Sequence, residues 1–309
     1  MSATAYLGEV LRRFALTPSQ RDRLSTFADV SRLRDFDLVS QRLEDVDRES
    51  IIELSDAMSV ARDEFIAFVE RALSRSPDSP EWVNALEFDP GAEFSAAIER
   101  MLHRGWSQGS DIVWERRYKE GMPEIGEFPQ SALRYFRTKR FWITGLVSRD
   151  LTREAQAIIL QAMKSGEPLN RTVAKLHDAF GPYVARLGDT SEQVGARLRT
   201  IVRTNVTDAY NQGVLVDMRS PEMRGIVKAI EYVAILDERT TPLCEYLDGT
   251  WFRIGDKRLD ALNPPNHFNC RSVLSPVIEG QSKGPKGYLT AAKFRRALAM
   301  IPPGFGGTR

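Results

Sequence analysis

Both cysteines of the 309-residue chain, Cys244 and Cys270, and one of its three histidines, His267, fall in one short window: DERTTPLCEYLDGTWFRIGDKRLDALNPPNHFNCRSVLSP, from Asp237 to Pro276. Thiolate sulfur and imidazole nitrogen are the side-chain donors that best hold a borderline-soft divalent ion such as zinc. Cys244, His267 and Cys270 supply three such donors, and Asp237 or water is the candidate fourth. Zinc at this point would tie two separate loops to the elements that follow them. Other readings stay open beside it. The cysteines can be small buried hydrophobes, they can pair as a disulfide after lysis, and His267 can hydrogen-bond a backbone carbonyl. The window lacks the C-x2-C pairs of common structural zinc sites and offers three protein ligands rather than four.

The charged residues around the three donors read as a structural polar network. Asp237 is placed to cap the turn that follows it, its carboxylate accepting from the backbone of Arg239 or Thr240. Arg271, beside Cys270, can pair with Asp237 or Asp248, and Arg203 can do so from a helix further upstream. Asp237, Arg239, Asp248, Arg271 and Arg203 are therefore expected to hold the loops in place, with no catalytic residue among them. Enzyme templates fail elsewhere too. The chain has no H-E-x-x-H, no G-x-x-x-x-G-K-[ST] phosphate loop and no H-x-E…P-C-x-x-C deaminase pattern. His103 and His177 lie on amphipathic helical runs and read as surface or core residues.

The window needs elements to position it. The first part of the chain reads as helical. Thr17-Pro18 looks like an N-cap with proline at the first helical position. From Glu49 to Arg75, Ile51, Leu54, Met58, Phe65, Phe68, Val69 and Ala72 form one apolar stripe. Ser76-Pro77-Asp78-Ser79-Pro80 breaks it. Phe94, Ile98, Met101 and Leu102 mark a shorter run, and Trp106 and Trp114 flank a glycine-rich turn and read as core aromatics. GMPEIGEFP, residues 121–129, is a boundary.

Beyond the boundary, Ser131 to Leu146 is helical, with Leu133, Phe136, Arg140 and Phe141. Thr152 caps a helix over Arg153 to Ser165, closed by Gly166. Further helices are expected over Leu169 to Phe180 and from Thr190 to Arg219. KAIEYVAIL (228–236), Thr250 to Ile254 and Ser272 to Ile278 read as three strands, with Asp248-Gly249 as a hairpin signal and Pro276 marking an edge. The fold class is α+β: a mainly α-helical N-terminal region, then a helical segment with a small antiparallel sheet. The divisions are 1–125, 130–280 and a basic tail over 281–309.

Composition is that of a globular protein, with 28% charged and 42% hydrophobic residues and a formal net charge of +1. Global charge thus gives no argument for nucleic acid. The N-terminus lacks the apolar core of a signal peptide, and no apolar run approaches the ~20 residues of a membrane span. The chain is expected to fold in a reducing cytoplasm and to have no membrane partner. Basic residues are nevertheless concentrated between Arg134 and Arg203, and the stretch after Glu279 carries no acid. Arg134, Arg137, Lys139, Arg140, Lys293, Arg295 and Arg296 are the candidates for contact with DNA phosphates. The competing reading is solvated helix faces and a frayed terminus.

Asp237-x-Arg239-Thr240-x-x-x-Cys244, Leu247-Asp248-Gly249 and Pro264-Pro265-x-His267-x-Asn269-Cys270-Arg271-Ser272 resemble the Mu-F-like phage head morphogenesis, or minor head, proteins. Val202-Arg203-Thr204-Asn205, running on to Ala209-Tyr210-Asn211-Gln212-Gly213, resembles the helix that precedes this motif in the family. Asn205 stands where the family usually has an acidic residue, so that acid's role does not carry over. The resemblance spans roughly residues 145 to 278. It implies a non-enzymatic minor head protein inside the phage head near the portal vertex. The portal protein, scaffold, major capsid protein and packaged DNA are the implied partners. Two alternatives belong to other classes. One is a metal-dependent nuclease, suggested by His267 before Asn269 but lacking acidic partners. The other is a module related to bacterial toxins, although no toxin domain follows Ile278.

Overall fold

The computed structural model describes residues 27–75, 80–117, 128–184, 195–223, 225–278, 287–303 and 305. Helices make up most of it and one small antiparallel sheet follows them, which is the α+β class read from the sequence. The described residues form two compact units that interleave along the chain. One takes the described residues within Met1–Asp45, Arg104–Ile125 and Arg203–Arg309, the other those within Val46–His103 and Gly126–Val202. These units differ from the consecutive divisions expected at 125/130 and 280/281. The expected cap at Thr17-Pro18 and the boundary at 121–127 lie outside the described residues.

The second unit is helical throughout. Helix α1 (Phe27–Arg75) begins well upstream of Glu49. Ile51, Leu54, Met58, Phe65 and Val69 are buried as the stripe requires, but Phe68 is 50% exposed. Three residues turn a helix through about 300°, which leaves Phe68 some 60° from Phe65 and at the edge of the stripe. After α2 (Glu81–Asn84), Phe94, Ile98, Met101 and Leu102 of α3 (Gly91–Arg117) are fully buried, as expected.

Helix α4 (Gln130–Ser165) is one continuous element where the sequence suggested two. Val147, Leu151 and Ala155 carry the buried stripe of Phe136 and Ile143 straight through the expected break. Thr152 is therefore not an N-cap. Its hydroxyl accepts from the Phe88 N–H (2.8 Å), the Ser148 hydroxyl donates to the Phe88 carbonyl (2.5 Å), and the Gln156 amide donates to the Leu86 carbonyl (3.0 Å). Residues 148, 152 and 156 share one helix face and grip the segment between α2 and α3. The gripped Phe88 packs edge-on against Phe65 and Phe180, with ring centroids 5.3 and 5.0 Å away. Gly166, at φ +61°, closes α4, and α5 (Leu169–Phe180) follows with the expected bounds.

The first unit holds the sheet. Within it α3 passes unbroken through Gly105 and on past Gly109, although a turn was expected between Trp106 and Trp114. Those glycines are flat spots against α6 (Ala196–Met218). A Cβ on Gly109 would stand 2.0 Å from the Tyr210 carbonyl oxygen, and one on Gly213 of α6 would stand 2.5 Å from that of Trp106. Trp106 is buried, in line with its core reading; the side chain of Trp114 lies outside the described residues.

Strand β1 (Val227–Val233) is central. It pairs antiparallel with β2 (Trp251–Phe252) on one side and with β3 (Val273–Ile278) on the other. Pro276 accordingly sits on an edge strand, with β1 as its one neighbour among the described residues, where proline is best tolerated. Ile230 and Tyr232 enter the main core with Tyr210, Leu247, Phe252 and Leu274. Asp248-Gly249 does not join β1 to β2 as a two-residue hairpin. The connection contains helix α7 (Pro242–Leu247), and the pair forms the turn that leaves it. Gly249 takes φ +69°, while Asp248 turns its carboxylate back to accept from the Ala234 N–H (2.9 Å).

After α8 (Arg258–Leu262) and β3, the basic C-terminal stretch is packed rather than frayed over its described part. Gly287 and Leu289 bond to the backbone of Trp251, and Thr290 caps α9 (Ala291–Ala299). Leu289 and Ala297 are buried.

Candidate functional site

Cys244 and the pair His267/Cys270 reach one point by separate routes. Thr241 accepts from the Cys244 N–H at the start of α7, and Pro242 supplies the first helical residue, so the short helix begins where the sequence places it. This puts Cys244 on a helix, where a loop was expected. His267 and Cys270 lie just before β3, as expected, in a segment where Asn269 takes φ +58°, a conformation asparagine tolerates better than most residues.

Helix α6 holds that segment down. The Thr204 hydroxyl accepts from the Asn269 N–H (3.1 Å), and the Thr207 hydroxyl donates to the Cys270 carbonyl (3.0 Å). Asn211 accepts from the Leu274 N–H (2.7 Å) and donates to the Ser272 carbonyl (3.3 Å). Three polar side chains at i, i+3 and i+7 thus satisfy backbone groups of the segment that leads into β3 and of its first residues. These positioning residues had no role in the sequence reading. Their signal was there: Thr204, Thr207 and Asn211 repeat at helical spacing within an otherwise apolar stripe.

The result is a tight group. Cys244 Sγ stands 3.1 Å from His267 Nε2 and 3.8 Å from Cys270 Sγ, and the three donor atoms all lie within 4.8 Å of one another. Both cysteines are buried and free, and His267 is half-buried. The other imidazole nitrogen, Nδ1, bonds the Phe268 carbonyl at 2.8 Å, so the carbonyl reading of His267 holds for one face of the ring while the other faces the sulfurs. Tyr232, fully buried beneath, has its hydroxyl 3.4 Å from Cys244 Sγ and 3.2 Å from the Asn266 amide that donates to it.

The electrostatics follow from this geometry. Hydrogen bonding from Cys270 leads in lowering the Cys244 pKa to about 3; burial opposes it, and His267, Ser272 and Thr241 add to it. Burial, with Cys244 alongside, pushes Cys270 well above the ordinary thiol value. Their contact thus drives the two thiols apart in acidity, Cys244 downward and Cys270 upward. Burial alone would depress His267, but the bond and charge of Cys244 and the Phe268 carbonyl lift it above its usual value. Burial and the neighbouring sulfur charge hold Tyr232 well above the phenol value, which keeps it a donor.

Asp237 is not part of the clustered donor group. Both its carboxylate oxygens are taken by the Arg271 guanidinium, at 2.6 and 2.7 Å, and one also accepts from the Arg239 N–H at 2.9 Å. Burial works against the charge, yet Arg271 outweighs it and holds the carboxyl below the usual range. Of the expected polar network, Asp237 and Arg271 meet side chain to side chain. Arg239 joins mainly through its backbone, its guanidinium being 4.0 Å away and largely exposed. Asp248 turns to Ala234, and Arg203 lies half-buried on α6.

The basic candidates divide. Arg134, Arg137 and Arg295 are exposed. Lys139 lies over the Tyr135 and Trp142 rings, Arg140 pairs with Glu99, and Lys293 and Arg296 lie over the Tyr246 ring. His103 packs between Phe128 and Phe136, and His177 is exposed, which leaves both outside the sulfur cluster. No helix among the described residues is long and apolar enough to cross a membrane.

Residues 154–275 match the family model for phage Mu protein F like protein. The match takes in the end of α4, helices α5 to α8, the first two strands and the start of β3, and with them all three sulfur and imidazole donors and the α6 residues that grip their loop. No curated protein and no solved structure matches the chain.

Proposed function

We propose that this chain, which belongs through residues 154–275 to the phage Mu protein F like family, is a minor head protein carried in few copies near the portal vertex. The family is one of head morphogenesis, and a head protein resides in the virion among other head proteins. The family match is the observation that carries the reading. What the proposal adds is the portal as direct partner, contact with scaffold and major capsid protein during assembly, and weak contact with packaged DNA.

The physical character of the site supports a structural role. Its charged groups are spent on one another and on the backbone: Asp237 on Arg271, Asp248 on Ala234. The three donor atoms gathered at its centre include no carboxylate to serve as a general base.

Co-expression with the portal protein of the same phage tests the reading. A complex should survive affinity purification and gel filtration, and its failure to form at micromolar concentration would count against the portal as partner. The purified protein should not cut DNA with magnesium, manganese or zinc. Cleavage that disappears in a folded His267→Ala protein would replace the structural reading with an enzymatic one.

A further inference from the structure

We propose that Cys244, His267 and Cys270 form a zinc site with three protein ligands and one position open to water. Four observations carry it. The first is the donor set: two sulfurs and one imidazole nitrogen, a combination that suits zinc and disfavours magnesium or calcium.

The second is spacing. Two sulfurs each bound about 2.3 Å from one zinc at the tetrahedral angle stand about 3.8 Å apart. Cys244 Sγ and Cys270 Sγ are separated by 3.8 Å. The Cys244–His267 distance of 3.1 Å is shorter than the roughly 3.5 Å of a tetrahedral S–Zn–N arrangement. His267 is the half-buried member, on a loop, and a small outward shift of its ring supplies the difference.

The third is the support around the donors. A metal-bound histidine generally gives its second ring N–H to a carbonyl or carboxylate, which fixes the tautomer and aims the free nitrogen. His267 Nδ1 bonds the Phe268 carbonyl at 2.8 Å and leaves Nε2 facing the sulfurs. Tyr232, itself accepting from Asn266, points its hydroxyl at Cys244 Sγ. The backbone carrying Cys270 is fixed by Thr207 of α6. The donors are thus aimed by neighbours already committed elsewhere.

The fourth is the open side. A cavity of about 20 Å³ lies against Cys244 and His267, walled by Thr241, Asn269, Arg271 and Ser272. It has room for about one water molecule, a single further ligand. Asp237, the other candidate for this position, is engaged by Arg271. The bound ion would join α7 directly to the segment before β3.

The full chain, purified without chelators, stripped of metal and titrated with zinc and then with cobalt(II), gives the test. We expect one equivalent of zinc and, with cobalt, the thiolate charge-transfer and intense visible bands of a tetrahedral site. X-ray absorption on the zinc form should return two sulfurs, one nitrogen and one further light atom. Cys270→Ser should lose the zinc. Asp237→Asn should keep it, since its carboxylate lies outside the ligand set. Folded wild-type protein that takes up less than about half an equivalent overturns the proposal. So does a cobalt spectrum without thiolate bands, or full zinc binding by Cys270→Ser. Loss of zinc from a folded Asp237→Asn protein overturns the open position. The wild-type spectra decide the matter even if a cysteine variant fails to fold.

Discussion

Two helices of this molecule use the same device for different ends. In the helical unit, Ser148, Thr152 and Gln156 of α4 grip the backbone around Phe88. In the sheet-bearing unit, Thr204, Thr207 and Asn211 of α6 grip the backbone around Cys270. Each set lies on one helix face and satisfies backbone polar groups of the segment it holds. The difference lies in the cargo. The α4 grip delivers an aromatic side chain into an apolar cluster, where packing supplies most of the stabilisation. The α6 grip delivers a sulfur and an imidazole to a fellow sulfur at the edge of the core, where polar bonds fix the backbone of the loop. The first segment is held by what it buries, the second by what it bonds.

That contrast can be broken by substitution. Phe88→Ala should be the costliest change, at about 3–5 kcal/mol, because it removes a ring that is 1% exposed from contact with Phe65 and Phe180. Chemical denaturation measures it; a loss under about 1 kcal/mol would show that packing is not what holds this segment. Asn211→Leu should follow closely, at about 3 kcal/mol, since it strands the Leu274 N–H and the Ser272 carbonyl in the core. The matching change in α4, Thr152→Val, should cost about 1 kcal/mol, as only the Phe88 N–H loses its partner and that bond is only part-buried. Equal costs for Asn211→Leu and Thr152→Val would erase the distinction between the two grips.

The smallest effect concerns Asp237 and Arg271, and it depends on pH. The folded state depresses the Asp237 pKa, so the carboxylate contributes stability above the ordinary carboxylate value. That contribution is lost as pH falls through the lower folded value. Asp237→Asn should therefore cost about 1 kcal/mol near neutral pH, towards the low end for a bond to a charged group because the pair is part-exposed. The gap from wild type should close in acid. A gap that widens as pH falls would reverse the assigned sign.

The contrast also explains what could be read from the chain beforehand. Apolar periodicity carried the helical unit: the stripe of Phe94, Ile98, Met101 and Leu102 and the bounds of α5 came from spacing. Where periodicity was overruled by isolated signals, the reading slipped. Thr152 has the residue type of an N-cap, but Val147 and Leu151 keep the stripe running, and the hydroxyl serves a segment more than sixty residues away in sequence. Gly105 and Gly109 suggest a turn because glycine permits one, yet here they are needed for a close helix approach, which only the partner helix reveals. Asp248-Gly249 carries a hairpin signal that is local, whereas the chain before it folds into α7. In the candidate site, residue type and clustering pointed to Cys244, His267 and Cys270. The helical spacing of Thr204, Thr207 and Asn211 was visible, but what they grip was not, because their partners are backbone groups.

The central claim, that this chain is a low-copy component of the phage head, is tested most directly by quantitative mass spectrometry of purified procapsids and mature heads. The account predicts its peptides in procapsids, in heads or in both, at a small fraction of the major capsid protein and at a constant ratio to the portal. Its complete absence from particles at every stage, in infections where the protein is expressed, would contradict the account.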